Sequence, residues 1–546
     1  MSGTITTAGV SGTITTAGDT SLTPAAPAGP DLVAVAERYE RALPPGQLGR
    51  LRADPLDRLD IPVVATDWAG TGADAEPSFS AFGYGAEVEQ AVVGGLGELA
   101  ESVLLTARLR RTVPRTGSYT ELRNVLGDRA VVDPVTLVLP AGSTAARERE
   151  LRWLPMTRWS TGEQVLVPAE LVACRSADTP GGPPPGGWLT TPVTNGLGAG
   201  DTVERALSHA LLELVQRDAN TVSLRALEQG VLVDTASLTD PVTVGLLNRL
   251  RSAGIEPQVR LASTELATVV HVTGLDTDSS TPPLAATACG EGAHPDREVA
   301  IRKAVEEYAS SRARKVFAHG PLAPIRRLDP AYVDRELARP LPPQEPRALA
   351  AMTRWCAMSA AELTDLLLPS VLATRSTVAL DTLPTLAAGV ADSPADLCAL
   401  MLDRLAAFDP LVALVTSDGA DGSNGAGRPD GSDGPDGSDG AGTDRAIHVV
   451  KVVAPGMEVE TLSYLRLGER VLRRLLDRDS PLVGLGTVDP ARHPRRRPVV
   501  LTEEAIERIG GPAWLDAEEV ERTVGELYPL YREPTRHAVP RLRGER

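Results

Sequence analysis

The sequence predicts an α/β protein that uses one glycine-led helical device three times. Two observations support this class. Short β-rich runs, among them QVLVPAELVAC, TVVHVTGL and AIHVVKVVAPGME, alternate with longer stretches of helical periodicity. A glycine-led helix also occurs three times, each time with acidic side chains beyond its first turns. With 546 residues, of which 42% are hydrophobic, the chain is long enough to bury a large core.

The three glycine-led helices have a similar spacing. Their leads are GYGA at 83–86, GLGA at 196–199 and GEGA at 290–293. A glutamate follows each lead at a comparable distance: Glu98 after Gly85, Glu213 after Gly198 and Glu307 after Gly292. Counted this way, the interval is two positions shorter in the first copy than in the other two. The recurrence indicates one supersecondary device that the chain uses three times.

The second copy predicts an amphipathic helix with one polar strip. We expect Asp201 and Glu204 to form a capping box at its start. The stripe predicted to face the core consists of Val203, Ala206, Leu207, Ala210, Leu211, Leu214 and Val215. Glu213 and Gln216 lie one turn apart on a neighbouring strip, where Arg217 can pair with Glu213.

The first and third copies also carry polar groups along the helix. In the first helix Glu98 and Glu101 form a pair of carboxylates one turn apart. In the third helix Lys303 and Glu307 share a turn, and Arg312 follows them. Residues Ala300, Ala304, Val305 and Tyr308 are predicted to pack inward.

These polar groups have two interpretations. Glycine-rich turns expose backbone N–H groups that suit phosphate oxygens, and carboxylates from several helices can hold Mg²⁺. No Gly-Lys pair occurs in the chain, so such a phosphate site would not be a P-loop. Alternatively, the paired glutamates are ordinary solvated helix faces and the glycines only form loops. The residues alone leave both interpretations open.

Composition limits the partners and the compartment. The formal net charge of -17 disfavours nucleic acid and anionic membrane surfaces as partners. The sequence shows neither a signal peptide at its start nor an apolar run of membrane-spanning length. The four cysteines are widely spaced without a C-x-x-C motif, which is typical of reduced thiols. We therefore expect a cytoplasmic protein with no nucleic-acid or membrane partner.

Low-complexity segments divide the chain. Residues 1–30 contain the octapeptide SGTITTAG twice and are predicted to form a disordered tail. The main domain is predicted at 31–500, with a disordered Asp/Gly-rich insertion at 417–444. Residues 501–546 are predicted to form a helical closing segment.

The motifs resemble those of the YcaO family, ATP-dependent enzymes that activate peptide backbone amides. The resemblance covers roughly residues 60 to 500 and is strongest in TNGLGAGDTVERALSHALLELVQRDA and GEGAHPDREVAIRKAVEEYASSRAR. Supporting matches are RWLPMTRWSTGEQVLVPAELV and VVKVVAPGME. The resemblance implies a YcaO-like fold, with repeated strand and helix subdomains around a central nucleotide site.

The resemblance also implies roles for individual residues. The expected Mg²⁺ ligands are Glu98, Glu101 and Glu213, and the expected ATP-binding residues are Gln216, Arg217, Lys303, Glu307 and Arg312. Gln216 and Arg205 stand where the family has glutamates, so the expected metal shell loses two carboxylates. No residue of this chain is assigned as catalytic.

The implied function is ATP-dependent activation of backbone amides in a ribosomally synthesised peptide during natural-product maturation. The product would be an azoline, a thioamide or an amidine. The implied partners are a precursor peptide and a separate leader-peptide-binding or partner protein, and we also consider a homodimer. The alternative is a catalytically degenerate scaffold that binds a precursor peptide or a partner enzyme.

Overall fold

The computed structural model describes residues 31–545 except 72–77, 222, 277, 279, 388, 418–445, 460–461 and 490. The predicted tail at 1–30 and all but the first residue of the predicted insertion at 417–444 therefore lie outside the described residues. The described elements belong to the unit Leu32–Arg546.

Helices and strands alternate along the described part of the chain. The α-helices are α1 Leu32–Ala42, α2 Val88–Arg111, α3 Tyr119–Leu126, α4 Ala169–Val172, α5 Val203–Asn220, α6 Pro241–Ser252, α7 Arg297–His319, α8 Leu322–Leu328, α9 Pro330–Ala338, α10 Pro346–Trp355, α11 Ala360–Leu367, α12 Pro394–Arg404, α13 Glu469–Leu476, α14 Glu503–Ile509, α15 Ala517–Val524 and α16 Ala538–Leu542. The strands are β1 Gly46–Arg52, β2 Val63–Gly70, β3 Phe79–Tyr84, β4 Arg115–Gly117, β5 Leu151–Arg158, β6 Gln164–Pro168, β7 Leu197–Gly200, β8 Val231–Asp234, β9 Ile255–Ser263, β10 Thr268–Asp276, β11 Gly290–His294, β12 Ser376–Ala379, β13 Leu411–Thr416, β14 His448–Val453, β15 Val483–Leu485, β16 Arg496–Pro498 and β17 Ala513–Asp516. The predicted α/β class is confirmed.

Three of the sheets each end in a strand that leads into a long helix. Their strand orders are β1-β2-β3, β4-β5-β13-β14-β7 with β6 beside β5, and β11-β10-β9-β8-β12. The edge strands β3, β7 and β11 precede α2, α5 and α7, respectively. Each helix packs on its own edge strand and on that of another unit: α2 on β7, α5 on β11, and α7 on β3. The three units therefore form a closed ring.

The same backbone contact holds each strand against its helix. A Cβ placed on Gly83, Gly198 or Gly292 would lie 1.8, 2.1 or 2.2 Å from the carbonyl oxygen of the residue eight positions later, which is Ala91, Ala206 or Ala300. The next atom met is the amide nitrogen of Gly95, Ala210 or Ala304, twelve positions after the glycine. Only glycine leaves the two backbones this close, so these three glycines are the equivalent positions of the three units.

The second helix follows its predicted pattern, with a different cap. All residues of the predicted stripe except Val203 are buried. The predicted Asp201–Glu204 capping box is wrong, because Thr202 caps the helix by accepting a hydrogen bond from the Arg205 amide. The Asp201 side chain is instead bound to the Arg205 guanidinium, 2.7 Å from Oδ1 to Nε.

The end of the chain forms a small sheet in addition to helices. Strands β15, β17 and β16 are neighbours in this sheet. Leu515 of β17 packs in one cluster with Val471, Leu472 and Val520 from α13 and α15. The boundary predicted at residue 500 stays a prediction. None of the described helices combines the length and the apolar character needed to cross a bilayer.

We predict that Gly198→Ala destabilises the protein by about 1–3 kcal/mol, because the added methyl group would overlap backbone atoms that cannot move aside cheaply. Gly245→Ala is the matched control. Gly245 lies within α6, and a Cβ there would meet nothing within 4 Å. This control should instead stabilise the helix by about 0.5–1 kcal/mol. Thermal or urea unfolding measures both, and equal midpoints for the two variants would contradict the close approach.

Candidate functional site

Each ring helix carries a glutamate at one equivalent position. Glu98, Glu213 and Glu307 follow the tightly packed glycines Gly83, Gly198 and Gly292 at one and the same sequence interval. The predicted alignment of the first copy on Gly85 was wrong, because Gly83 is the glycine that makes the close contact. The structure therefore aligns the three copies without any difference in spacing.

The strands hold these glutamates by their backbone. The Phe82 amide donates to Glu98 at 2.9 Å, and the Glu291 amide donates to Glu307 at 2.8 Å. The Leu197 amide donates in the same way to Glu213. In every copy the donor is the residue just before the tightly packed glycine. Three carboxylates are thus fixed near the middle of three helices, each against its own edge strand.

Glu101 joins this set from the first helix. Because α2 also packs on β7, the Glu101 carboxylate accepts a hydrogen bond from the Ala199 amide of that strand. His209 Nε2 lies 4.0 Å from Glu101 Oε1. The predicted carboxylate pair therefore spans the boundary between the first and second units.

Poor hydration and mutual repulsion raise the pKa values of the carboxyl groups. Burial raises the pKa of Glu101 well above its usual range, and the charges of Glu213 and Glu98 raise it further. Burial likewise raises the pKa of Glu213. Part of Glu98 is exposed to solvent. The protein atoms around the rest of it reduce the hydration of its carboxylate and so raise its pKa. Burial and the charge of Glu291 raise the pKa of Glu307 to about 8.

This donor set fits Mg²⁺ by its chemistry. Carboxylate oxygens are the protein ligands that Mg²⁺ prefers, and a divalent cation would relieve the repulsion among Glu98, Glu101 and Glu213. Within the described residues, no group of three His, Cys, Asp or Glu side chains is close enough to enclose a metal ion. Glu98, Glu101 and Glu213 are near enough for their charges to interact but too far apart to enclose an ion. Their assignment as Mg²⁺ ligands stays a prediction.

Polar residues of α5 converge on one glutamate of the third unit. Gln216 Nε2, Arg217 Nη1 and Asn220 Nδ2 lie 3.1, 2.7 and 2.8 Å from the same oxygen of Glu291, Oε2. Arg225 Nη2 lies 3.6 Å from the other oxygen. Although burial favours the neutral form, Arg217 and Arg225 hold the pKa of Glu291 below its usual value. Glu291 is therefore a fixed negative charge that orients the end of α5.

Arg217 is the cation at the centre of the site. It lies 3.7 Å from Glu213 as well as 2.7 Å from Glu291. Burial alone would lower the pKa of Arg217, but the charges of Glu291, Glu213 and Glu307 outweigh it and raise the pKa. The guanidinium thus lies among carboxylates of two units.

Lys303 and His209 occupy equivalent positions in two units. Both follow their tightly packed glycine at the same sequence interval, and Gly94 takes this position in the first unit. Burial lowers the pKa of Lys303, and the nearby charges of Glu306 and Glu307 partly offset this. His209 keeps 55% of its side chain exposed, but protein atoms crowded around it and the charge of Lys303 lower its pKa to about 4. The two side chains are therefore neighbours beside the glutamates.

The structure does not bring Arg312 to the site, which corrects the prediction for this residue. Its side chain is fully buried against the first sheet region, with Nε 2.7 Å from Asp57 Oδ2 and Nη2 3.1 Å from Asp276 Oδ2. Arg312 lies five residues after Glu307, so it points away from the face of α7 that carries the glutamate. Its ion pairs instead join α7 to the loop that contains Asp57.

Arg314 supplies the cation that was expected from Arg312. It lies seven residues after Glu307, two helical turns along the same face. Its Nη1 is 2.6 Å from Glu533 Oε2, and the charges of Glu533, Glu307 and Glu98 raise its pKa. Helical periodicity could have identified Arg314, whereas nothing in the sequence near Glu533 indicates its contact with α7.

Residues after α15 complete one side of the site. Glu533 is bound by Arg314 and also lies 3.3 Å from His319 Nε2 and 3.6 Å from Lys315 Nζ. The Arg536 guanidinium lies 4.6 Å from the Phe82 ring centre, and its charge lowers the pKa of Glu98. The chain beyond residue 530 therefore contributes both signs of charge to the site.

Comparisons with known proteins place the chain in a family. The family profile described as YcaO cyclodehydratase, ATP- and Mg²⁺-binding, matches residues 82–458. An uncharacterised protein of Methanothermobacter thermautotrophicus is 33% identical over 268 residues, which cover 48% of this chain and 64% of the relative. A Rhizobium leguminosarum bv. trifolii protein, described as an uncharacterised protein in the tfuA 3′ region, is 26% identical over 302 residues, 51% of this chain and 68% of its own.

One solved structure has a fold similar to that of this chain. A heterocyclase in complex with substrate and cofactor has a TM-score of 0.55 and 18% identity to this chain. The matched region covers 83% of this chain and 55% of the heterocyclase. The family profile spans more than half of the chain. The chain therefore belongs to the YcaO family of ATP- and Mg²⁺-binding cyclodehydratases, and ATP and Mg²⁺ are its cofactors.

Proposed function

We propose that the protein uses ATP to activate a backbone amide in a ribosomally synthesised peptide, leading to an azoline, a thioamide or an amidine. The observation that carries the proposal is the set of three equivalent glutamates around Arg217. Three carboxylates with raised pKa values and one guanidinium form a centre suited to a divalent cation with a polyphosphate. Membership in a cyclodehydratase family supports the reaction class.

The roles of the residues follow from their charges. Glu98, Glu101 and Glu213 would hold Mg²⁺ through carboxylate oxygens. Arg217 and Arg314 would bind phosphate oxygens, since planar guanidinium groups pair with them through two parallel hydrogen bonds. Glu291 and Glu533 act as positioning residues, because each holds one of these arginines in place. When bound, ATP and Mg²⁺ would supply the phosphoryl group that turns the amide oxygen into a leaving group.

Partners are part of the proposal. A precursor peptide is the substrate, and a separate leader-peptide-binding or partner protein would present it. The heterocyclase with a related fold was solved in complex with its substrate and cofactor, which supports a site open to a peptide and a nucleotide together. We also propose a cytoplasmic location.

A second function is favoured by two side chains. Gln216, expected to stand in for a metal-binding glutamate, donates its amide to Glu291 instead. Arg205, at the other substituted position, is paired with Asp201. A site with two fewer carboxylates would suit a scaffold that binds a precursor peptide or a partner enzyme without turnover.

We expect Mg²⁺-dependent ATP binding that fails in Glu98→Gln, because the substitution removes a charged oxygen ligand. The dissociation constant should rise at least about tenfold, equal to about 1.4 kcal/mol. Glu89→Gln is the matched control, since Glu89 lies in the first turn of the same helix and is exposed. Isothermal titration calorimetry measures all three proteins. No heat of binding with folded wild-type protein would favour the scaffold function.

We also expect the site to make the metal-free protein less stable as pH rises. The folded-state pKa of Glu307, about 8, is above that of an unfolded glutamate, so the folded protein binds the extra proton between these values. Its stabilising contribution should therefore decline from about pH 5 to pH 8 and then level off. In EDTA, the melting temperature of the wild type minus that of Glu307→Gln should fall over this range.

Added Mg²⁺ should reduce this decline, because a cation held by Glu98, Glu101 and Glu213 would lower the pKa of the nearby Glu307 towards its unfolded value. A difference in melting temperature that does not change with pH would show that Glu307 titrates normally. A pH dependence that Mg²⁺ leaves unaltered would contradict cation binding near this glutamate.

A further inference from the structure

A polar cavity adjoins the site on one side of Arg217. Its volume is about 430 Å³, and its walls are residues 174–176, residues 191–195, Arg217 and Arg532. Arg217 connects this wall to the site, because it also contacts Glu213 and Glu291. Nothing in the proposed roles of the glutamates uses this space.

Arginines line the cavity, and each of them is paired with a carboxylate outside the lining. Three arginines, Arg175, Arg217 and Arg532, line it, and no aspartate or glutamate is among the lining residues. Two of these arginines are held by acidic residues outside the lining. Arg175 binds Asp178 through Nε and Nη2 at 2.6 and 3.0 Å, and Arg532 Nε lies 3.5 Å from Glu345. Fixed guanidinium groups around an open space favour an anion.

One wall of the cavity offers a row of backbone donors. The Lys451 ammonium group binds the carbonyl oxygens of Val193 and Asn195, each at 2.7 Å, and thereby holds this stretch in place. Among the described residues, the amide groups of Thr191, Val193, Thr194 and Asn195 find no acceptor. The Asn195 side-chain nitrogen is buried and also lacks one. Because amides alternate in direction along an extended segment, an extended peptide beside this wall would satisfy some of these donors and not all of them.

We propose that this cavity is a subsite for a carboxylate-bearing stretch of the peptide substrate; this inference rests on the proposed function. An extended peptide can pair with the backbone of residues 191–195, while its Asp or Glu side chain binds Arg532 and Arg175. A nucleotide fits this space less well, because its triphosphate carries Mg²⁺ and no carboxylate is among the described residues that line the cavity. The peptide would then reach the site alongside Arg217.

A peptide library tests the subsite without needing turnover. The immobilised full chain is incubated with acetylated and amidated octapeptides that have a central serine and randomised flanks, and retained peptides are sequenced by mass spectrometry. We expect Asp and Glu to exceed Asn and Gln at least about threefold at one flanking position. Equal recovery of acidic and amide residues by the wild type, including retention of no peptide, would overturn the proposal.

Two variants of wall residues test whether the preference for acidic peptides arises in this cavity. Arg532→Gln removes a wall cation, and Thr194→Asp adds a negative charge at an exposed wall position, so each should bring the ratio close to one. Arg492→Gln is the control, because Arg492 is 83% exposed and lies outside the cavity lining. An acidic preference that persists in both wall variants would refute the assignment.

Two further measurements with nucleotides distinguish a failure of the subsite from a failure of the proposed function. Loss of acidic preference when excess Mg²⁺ and AMPPCP are added would mean that the cavity belongs to the nucleotide, and would overturn the subsite. ATP binding is measured by calorimetry on the same samples. Acidic preference without ATP binding would keep the subsite and refute the enzyme, whereas ATP binding without acidic preference would refute the subsite alone.

Discussion

The structure depends on a close contact between the backbone of an edge strand and the backbone of the helix that follows it. The contact is made at Gly83, Gly198 and Gly292, and in each case it leaves no room for a side chain. It fixes both the rotation of the helix and its position along the strand. Because the helix runs back over its own strand, the equivalent glutamate of each unit always reaches the amide just before the glycine. Backbone geometry thus decides where the carboxylates lie.

The charges at the centre of the ring are balanced across units. Burial raises the pKa values of Glu98, Glu213 and Glu307, and the charges of Glu98 and Glu291 raise those of Glu213 and Glu307 further. Arg217 offsets part of this rise by lying among carboxylates of the second and third units. A buried charge that lost such a partner would be strongly destabilising. We therefore expect a bound cation to stabilise the charged form of these carboxylates.

Sequence periodicity predicted the helices and the glutamates because both depend on contacts within one unit. The stripe from Ala206 to Val215 and the repeated glutamate are local patterns, and the structure contains them. The errors at Gly85 and Arg312 have physical causes: two glycines were close enough in sequence to be confused, and a shift of two residues turns a helical side chain by about 200°. The contacts of Glu291, Glu533 and Arg536 join segments far apart in sequence, so no local pattern could indicate them.

The position occupied by Glu291 makes the ring unequal. Phe82 and Leu197 take the same place in the other two units, just before the tightly packed glycine, and both are apolar. Three identical units would offer a ligand three orientations related by rotation, each equally favourable. Glu291, with the polar groups gathered around it, makes the units unequal, as do Glu101 and the position shared by Gly94, His209 and Lys303. We therefore expect an unsymmetrical ligand to prefer one of these orientations. Residues that differ at equivalent positions thus give a repeated scaffold a direction.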